Sequence, residues 1–297
     1  MRDLLSLPML SSLEEQIKRC NALINAAKIV DLVAPSDLEG VLGLVQIESA
    51  LIDEKISYRR RLLLARRDVP RDEVDLLPDT DGLLIHIDPF AQPGDGLSLG
   101  KNSIHITPFA TIIEFEGSAT SHQGVVDCVA LCAALANRLC TSSPRVRRLR
   151  PLSMAGQWLR DSLDATYDPA LTLLRNHLDE EGSIQVVALP EVTNPDLSSL
   201  DGIAERMLKR LVKSWPEMDF DQRSQALSEL ALPVLREAKI STPRVEELIW
   251  KRAIIAENGR DLASVLNEVR GEWPEGGDKT RVHASEISDR LISTGIF

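Results

Sequence analysis

The chain is poor in the residues that most recognition chemistry draws on. Two tyrosines, five phenylalanines and four tryptophans occur in 297 residues. Strong binding of single-stranded nucleic acid uses aromatic platforms for base stacking, and this composition does not advertise it. Trp158, Trp215, Trp250 and Trp273 are instead expected as core or interface anchors. Cysteine is also scarce: Cys20, Cys128, Cys132 and Cys140. Cys128 and Cys132 share a face at helical spacing in "VVDCVALCAALANRLC", but a structural zinc site needs two further ligands and a turn. Buried core thiols are the expectation. No apolar run approaches the roughly 20 residues of a membrane span. The opening "MRDLLSLPMLSSLEEQIKRC" is charged too early for a signal peptide and continues as an amphipathic helix, so a cytoplasmic protein is expected. No GxGxxG and no P-loop follows a strand, which removes the usual phosphate cradle of dinucleotide and NTP sites. Internal repeats and low-complexity tracts are missing too.

What is present is charge, unevenly spread. The formal net charge is −11, which argues against nonspecific nucleic-acid binding over the whole surface. Yet 25 of the 34 basic residues are arginine. They gather as Arg59, Arg60, Arg61, Arg66 and Arg67, then as Arg145, Arg147, Arg148 and Arg150. Arginine in such groups can hold phosphate or nucleic acid bidentately. The alternative is an edge strand and a loop guarded by charge.

Periodicity gives an order of elements. A helix is expected over 11–28 and a buried strand over 28–34. The helix "LEGVLGLVQIESALIDEK" follows, with Gly43 pointing to close packing on a neighbour. "ISYRRRLLLA" and "DGLLIHIDPF" read as strands, "LSLGKNSIHI" and "TIIEFEG" as two more short ones, and 123–140 as a long apolar helix. Beyond 150 the pattern is helical, interrupted by one strand, "SIQVVALP", and closed by a helix over 283–293. Strands alternating with helices predict an α/β fold: a mainly parallel sheet flanked by helices, with an α-helical C-terminal region. The expected division is a core over 1–190 and a mostly helical region over 191–297. In such sheets ligands bind beyond the carboxyl ends of the strands, where Asp37, Glu39, Asp88 and Glu114 are expected.

An apolar strand, "APSDLEG", a helix and "ISYRRRLLL", in that order, resemble the first motif of the DHH phosphoesterase superfamily, which runs strand, Asp-x-Asp-Gly, helix in RecJ-like members. "LLIHIDPF" resembles the second motif, a strand ending in aspartate. "PLSMAGQWLRDSLDA" with "LRNHLDEEGSI" resembles the segment that carries the fourth. The similarity covers about residues 28–185 and is nearest in character to archaeal RecJ-like proteins, including counterparts of the eukaryotic replication-fork scaffold descended from RecJ. It implies a DHH-like core. In the family's enzymes, aspartates and histidines hold two divalent ions, usually manganese, that activate water for in-line attack on a phosphodiester.

Carried over, the resemblance places Asp37, Glu39, Asp88 and Asp161 as metal ligands, with His86 and Glu114 as alternatives. The departures are pronounced. Glu39 stands where aspartate is usual, and its extra methylene would displace a ligand by about 1.5 Å, enough to lose much of the rate. The third motif should read Asp-His-His; aligned on "TIIEFEG" it reads Glu114, Phe115 and Glu116. A relocated set of Asp37, Glu39, His86 and Asp88 is one way to restore a ligand shell, since His86 and Asp88 lie two apart on one strand. His105 and His122 are read as ordinary interior or surface groups. The glycine- and histidine-rich substrate run of the enzymes has only a poor counterpart around Gly276, Gly277 and His283.

Two functions follow. One is a catalytically inactive RecJ-like protein serving as a DNA replication or repair scaffold, with GINS-like and MCM-like partners, possible contact to single-stranded DNA and no cofactor. The other is an active manganese-dependent phosphoesterase or single-strand exonuclease with an altered ligand set, using Arg59 to Arg61 for phosphate.

Overall fold

The computed structural model describes residues 2–66, 77–115, 120–164, 166–237 and 239–297, with the side chains of 161 and 162 left out; Arg67 and Glu116 lie outside the described residues. The chain forms two compact units. The first comprises Met1–Leu159, Pro169–His177 and Val269–Phe297, the second Arg160–Asp168 and Leu178–Glu268. By contacts the chain leaves the first unit after Leu159, rejoins it over Pro169–His177 and returns to it at Val269.

In the first unit, α1 (Pro8–Ser11) and α2 (Glu14–Ala26) lead into β1 (Val30–Pro35), which is buried at all six positions. α3 (Leu38–Asp53) follows, then β2 (Tyr58–Leu63), β3 (Leu83–Ile87), β4 (Asp95–Leu99), β5 (Ser103–Glu114) and β6 (Ser121–Val126). The sheet order is β2-β1-β3-β5-β4, with β6 added to the distal half of β5. β1, β2, β3 and the start of β5 run parallel; β4 and β6 are antiparallel to β5. The expected α/β class, a mainly parallel sheet flanked by helices, is what forms.

Two expectations about the strands need correction. "LSLGKNSIHI" is a hairpin rather than one strand: β4 turns at Gly100, whose amide donates to the Ser103 carbonyl at 2.8 Å, and returns as β5. "SIHI" and "TIIE" then belong to one 12-residue strand. The helix expected over 123–140 starts only at Cys128, as α4 (Cys128–Leu139), because Asp127 caps it. The Asp127 carboxylate accepts the Val129 and Ala130 amides at 2.6 and 3.1 Å, and an N-cap residue lies outside helical geometry. The residues before it extend β6.

α3 is the central helix, buried at every position from Gly40 to Leu51. It packs on β1, α4 and the last helix, α12 (Gly277–Thr294). Its glycines make this possible. A Cβ on Gly43 would lie 3.3 Å from Ile87 and 3.4 Å from the Cys132 sulfur, and one on Gly40 would lie 2.2 Å from the Pro35 carbonyl oxygen. Gly40→Ala is therefore expected to lose about 1–3 kcal/mol by overpacking, read as a lower urea midpoint; an unchanged midpoint would mean that the β1–α3 junction has slack. α5 (Pro144–Leu149), α6 (Ala155–Leu159) and Pro169–His177 of α7 (Pro169–Glu180) also belong to this unit.

The second unit carries α8 (Glu205–Ser214), α9 (Phe220–Glu237), α10 (Thr242–Ile249) and most of α11 (Leu262–Glu272). It also contains a two-stranded antiparallel ribbon, β7 (Ile184–Val187) with β8 (Arg252–Ile255). "PRVEELIWKRAIIAEN", expected as one helix, breaks after Ile249 into β8. The expected strand β7 needs a partner for its backbone groups, and the β-branched Ile254 and Ile255 supply it. Among the described residues no helix is long and apolar enough to cross a membrane.

Candidate functional site

The carboxyl ends of β1 and β3 place most of the expected acidic residues. Asp37 ends the loop after β1 and occupies the N-cap position of α3, but its buried carboxylate accepts the Arg66 amide at 2.6 Å rather than capping the helix. It thereby ties down the chain leaving β2. Glu39 is half-buried in the first turn of α3. Asp88 follows β3 and accepts the Phe90 amide at 3.1 Å, a local Asx turn. His86 is buried on β3 beside His105, its register partner on β5, with the rings edge to face at 5.7 Å.

Glu114 does not join them. Beside Asp88, whose amide bonds the Ile106 carbonyl at 2.9 Å, the next parallel strand presents Thr107, Pro108 and Phe109. Glu114 is exposed at the far end of β5, opposite Ser121 of β6. At about 3.3 Å per residue it stands on the order of 25 Å further along an extended strand. The two strand assignments around 97–114 misplaced it. Asp161 lies in a 3₁₀ turn, Asp161–Asp164, within the second unit, and its side chain is outside the described set. Among the described residues no three His, Cys, Asp or Glu side chains lie close enough together to hold a metal ion. The ligands implied for manganese, including the relocated set with His86, do not come together there.

Protein groups fill the sheet end instead. The Asp127 amide donates to Gln157 Oε1 at 3.1 Å, and Gln157 Nε2 donates to the Val125 carbonyl at 2.7 Å. The Cys128 thiol reaches the Asp88 and Ile106 carbonyls, each at 3.5 Å. Gly156 leaves room for the Asp127 carboxylate, since a Cβ there would meet Asp127 Oδ1 at 2.2 Å. On the β1 side the indole of Trp273, just past α11, donates to the Ser36 carbonyl at 3.1 Å and is nearly closed to solvent. His283 packs edge-on against that indole at 4.9 Å. Trp273 was expected only as a generic anchor, and Asp127 and Gln157 were not singled out. The sequence signal for Asp127 was available: an Asp directly before an apolar helical run is a capping pattern.

The arginine clusters are explained largely by buried acids. Asp31, fully buried within β1, takes Arg61 Nε at 3.0 Å and Arg59 Nε at 3.3 Å, and the Thr80 hydroxyl also donates to it. Arg59 also bonds Asp81 at 2.6 Å. Arg60 points to the other side of β2, to Glu48 at 2.7 Å and Asp289 at 2.7 Å. Burial works to discharge the Arg60 guanidinium, but Glu48 and Asp289 outweigh it and raise its pKa. Burial and the Glu48 carboxylate push the neighbouring Tyr58 hydroxyl well above its usual value. A charge in the interior must be paired, so the buried Asp31 in "KIVDLVA" and the buried Glu48 in the apolar middle of α3 each call for a cation. The alternation of Arg59, Arg60 and Arg61 supplies cations to both faces of the edge strand. In the second cluster Arg145 bonds Asp53, Arg148 donates to the Ser293 carbonyl at 2.7 Å, and Arg147 is exposed. All four cysteines are buried, and none is in a disulfide; burial raises the Cys20 thiol to about 11 and lifts Cys132 as well.

Parallel strands in the order β2-β1-β3-β5 with helices over the sheet make an α/β fold, and acidic residues stand at the ends of β1 and β3. No family model matches the sequence, and no curated protein does. Among solved structures the chain is similar to CDC45 from Entamoeba histolytica, with a TM-score of 0.51 at 9% identity, over 97% of this chain and 69% of that one. The likeness is one of fold.

Proposed function

We propose that this chain is a RecJ-like DHH-fold protein that has given up phosphoesterase chemistry and serves as a scaffold in DNA replication or repair. The observation that carries the reading is the end of the sheet beside Asp88. Thr107, Pro108 and Phe109 stand on the next parallel strand beside Asp88, none of them offers a divalent ion an anionic or imidazole ligand, and the stretch that the resemblance aligns with Asp-His-His, Glu114 to Glu116, has no histidine. Trp273 and the Asp127–Gln157 pair add to the support, because they consume the hydrogen-bonding groups around the loop with protein partners. The fold likeness to CDC45 agrees with a scaffold role and suggests protein partners of the replication fork, GINS-like and MCM-like. Arg147, exposed in the second cluster, and the half-exposed Arg59 and Arg61 are the remaining cations for phosphate or single-stranded DNA.

The test is turnover. Purified protein with manganese is assayed on single-stranded DNA and on a small phosphodiester, beside Asp37→Ala and Asp88→Ala. The expected result is no hydrolysis above that of either variant, together with recovery of replication proteins when the tagged chain is drawn from extract. Manganese-dependent turnover that both substitutions abolish would overturn the reading and establish the alternative, an active phosphoesterase or exonuclease. Capture of no replication protein counts against the scaffold role separately.

A further inference from the structure

In the second unit, α8 turns apolar residues inward and cations outward. Leu208 and Leu211 are buried, as is Trp215 directly after the helix. Arg206, Lys209, Arg210 and Lys213 are exposed. Positions three, four and seven apart share one face of a helix. At 3.6 residues per turn the four cations form a stripe about 100° wide and about 10 Å long, opposite the buried residues. No acid of α8 falls within it. Glu205, at its border, bonds Lys209 at 3.1 Å.

The stripe differs from the arginine clusters of the first unit. There Arg59, Arg60, Arg61 and Arg145 each meet a carboxylate. Among the described residues, the side chains of Arg206, Arg210 and Lys213 make no ion pair or hydrogen bond. Acids outnumber bases in this chain by 45 to 34, so a face of one sign with no acid on it runs against the composition. Solvation accounts for the charge alone. It does not account for the apolar borders: Met207 on one side of the stripe and Val212 on the other are both exposed. Of the eleven large apolar side chains exposed among the described residues, five fall between Met207 and Leu235, on α8 and on α9, against which α8 packs. Apolar exposure concentrated in so short a stretch marks a contact surface.

The chemistry of the stripe and its borders selects the partner. An interfacial membrane helix inserts its apolar face, and that face of α8 is already used inside the unit. Nucleic acid would take the cations with its phosphates, but single strands also need stacking platforms, and the stripe and its borders carry no aromatic ring. A protein segment bearing both carboxylates and apolar side chains satisfies the cations and covers Met207 and Val212 together. Arginine and methionine are enriched in such interfaces, and guanidinium groups hold carboxylates bidentately. We propose that the outer face of α8 docks an acidic, amphipathic segment of a partner protein. The net charge of −11 repels such a segment from the rest of the surface, so the stripe also fixes where it lands. The proposal concerns the second unit and needs neither the superfamily resemblance nor a role in replication.

The experiment titrates the full chain with the peptide acetyl-Asp-Glu-Leu-Leu-Glu-Asp-Leu-Leu-Glu-Glu-amide, by calorimetry and by amide chemical shifts. Saturable one-site binding is expected, with shifts centred on α8 and affinity falling as salt is raised. Arg206→Glu and Arg210→Glu are each expected to weaken it by about tenfold, the fold-change of roughly 1.4 kcal/mol. Met207→Ser is expected to weaken it several-fold. Lys101→Glu makes the same change in net charge at an exposed position of the first unit and is expected to leave binding within about twofold. Circular dichroism checks that each variant is folded; all four positions are exposed. No saturable binding at millimolar concentration overturns the proposal, as does binding that neither arginine variant alters or that Lys101→Glu weakens equally. Tighter binding of a short oligothymidylate, or of vesicles of phosphatidylserine and phosphatidylcholine, overturns the assignment to a protein segment. These outcomes are independent of the turnover assay and of the capture of replication proteins.

Discussion

Trp273→Ala is expected to destabilise the protein by about 3–5 kcal/mol, the usual cost of truncating a buried aromatic residue. The indole is nearly closed to solvent, stacks edge-on with His283 and donates to the Ser36 carbonyl at 3.1 Å. Removing it leaves a cavity above the "SDLEG" loop and strips a buried carbonyl of its donor. Trp273→Phe separates the two effects: most of the ring is kept while the N–H is lost, so about 1–3 kcal/mol is expected, the cost of an unsatisfied buried acceptor. Urea denaturation of both variants, followed by hydrogen exchange of β1 and α3, is the measurement. A loss below about 1 kcal/mol for Trp273→Ala would show that the indole does not seal this end of the sheet. Because the residues beside Asp88 are unchanged in the variant, opening the cover is not expected to restore manganese-dependent turnover.

Arg252→Ala is expected to cost about 3–5 kcal/mol, because it strands the buried Asp261 carboxylate without its counter-ion. Both side chains are nearly inaccessible, 1% and 2% exposed, at an N–O distance of 2.8 Å. Burial lowers the Arg252 pKa from its ordinary value, and Asp261 and Asp196 recover only part of that. The guanidinium also bonds the Leu248 and Asp196 carbonyls, so one residue joins α10, β8, the loop at 196 and the start of α11. Loss of protection should fall on amides of the second unit and spare β1 and β3. Arg252→Met combined with Asp261→Asn is expected to be less damaging than Arg252→Ala alone, since no unpaired buried charge remains. If the double variant is the worse of the two, the pair contributes through geometry rather than through charge neutralisation.

The misplacement of Glu114 shows where reading along the chain stops working. "LSLGKNSIHI" and "TIIEFEG" each have strand character, and both do form strands. Whether Ser103 begins a new strand or continues an old one depends on which backbone groups pair, and periodicity carries no information about that. With one 12-residue strand in place of two short ones, Glu114 stands at the far end of β5 and Thr107–Phe109 stand beside Asp88. The arginines show the same limit. Arg59, Arg60 and Arg61 are legible as an alternating charged edge strand, but their partners Asp31, Glu48 and Asp289 are as much as 229 residues away.

The sequence by itself determined the α/β class, the order β1-α3-β2-β3, the tight packing at Gly43, the burial of the cysteines and the helical character of most of the region after 195. These follow from side-chain periodicity and glycine placement, which act over one or two turns of chain. Only the tertiary structure decided what stands beside Asp88, that Trp273 covers Ser36 across 237 residues, that the last helix packs on α3, and that Asp261 keeps one carboxylate oxygen facing no donor. Those are pairings between distant segments. They are selected by shape and by the cost of leaving a buried polar group unpaired, and that cost becomes visible only when both partners are in place.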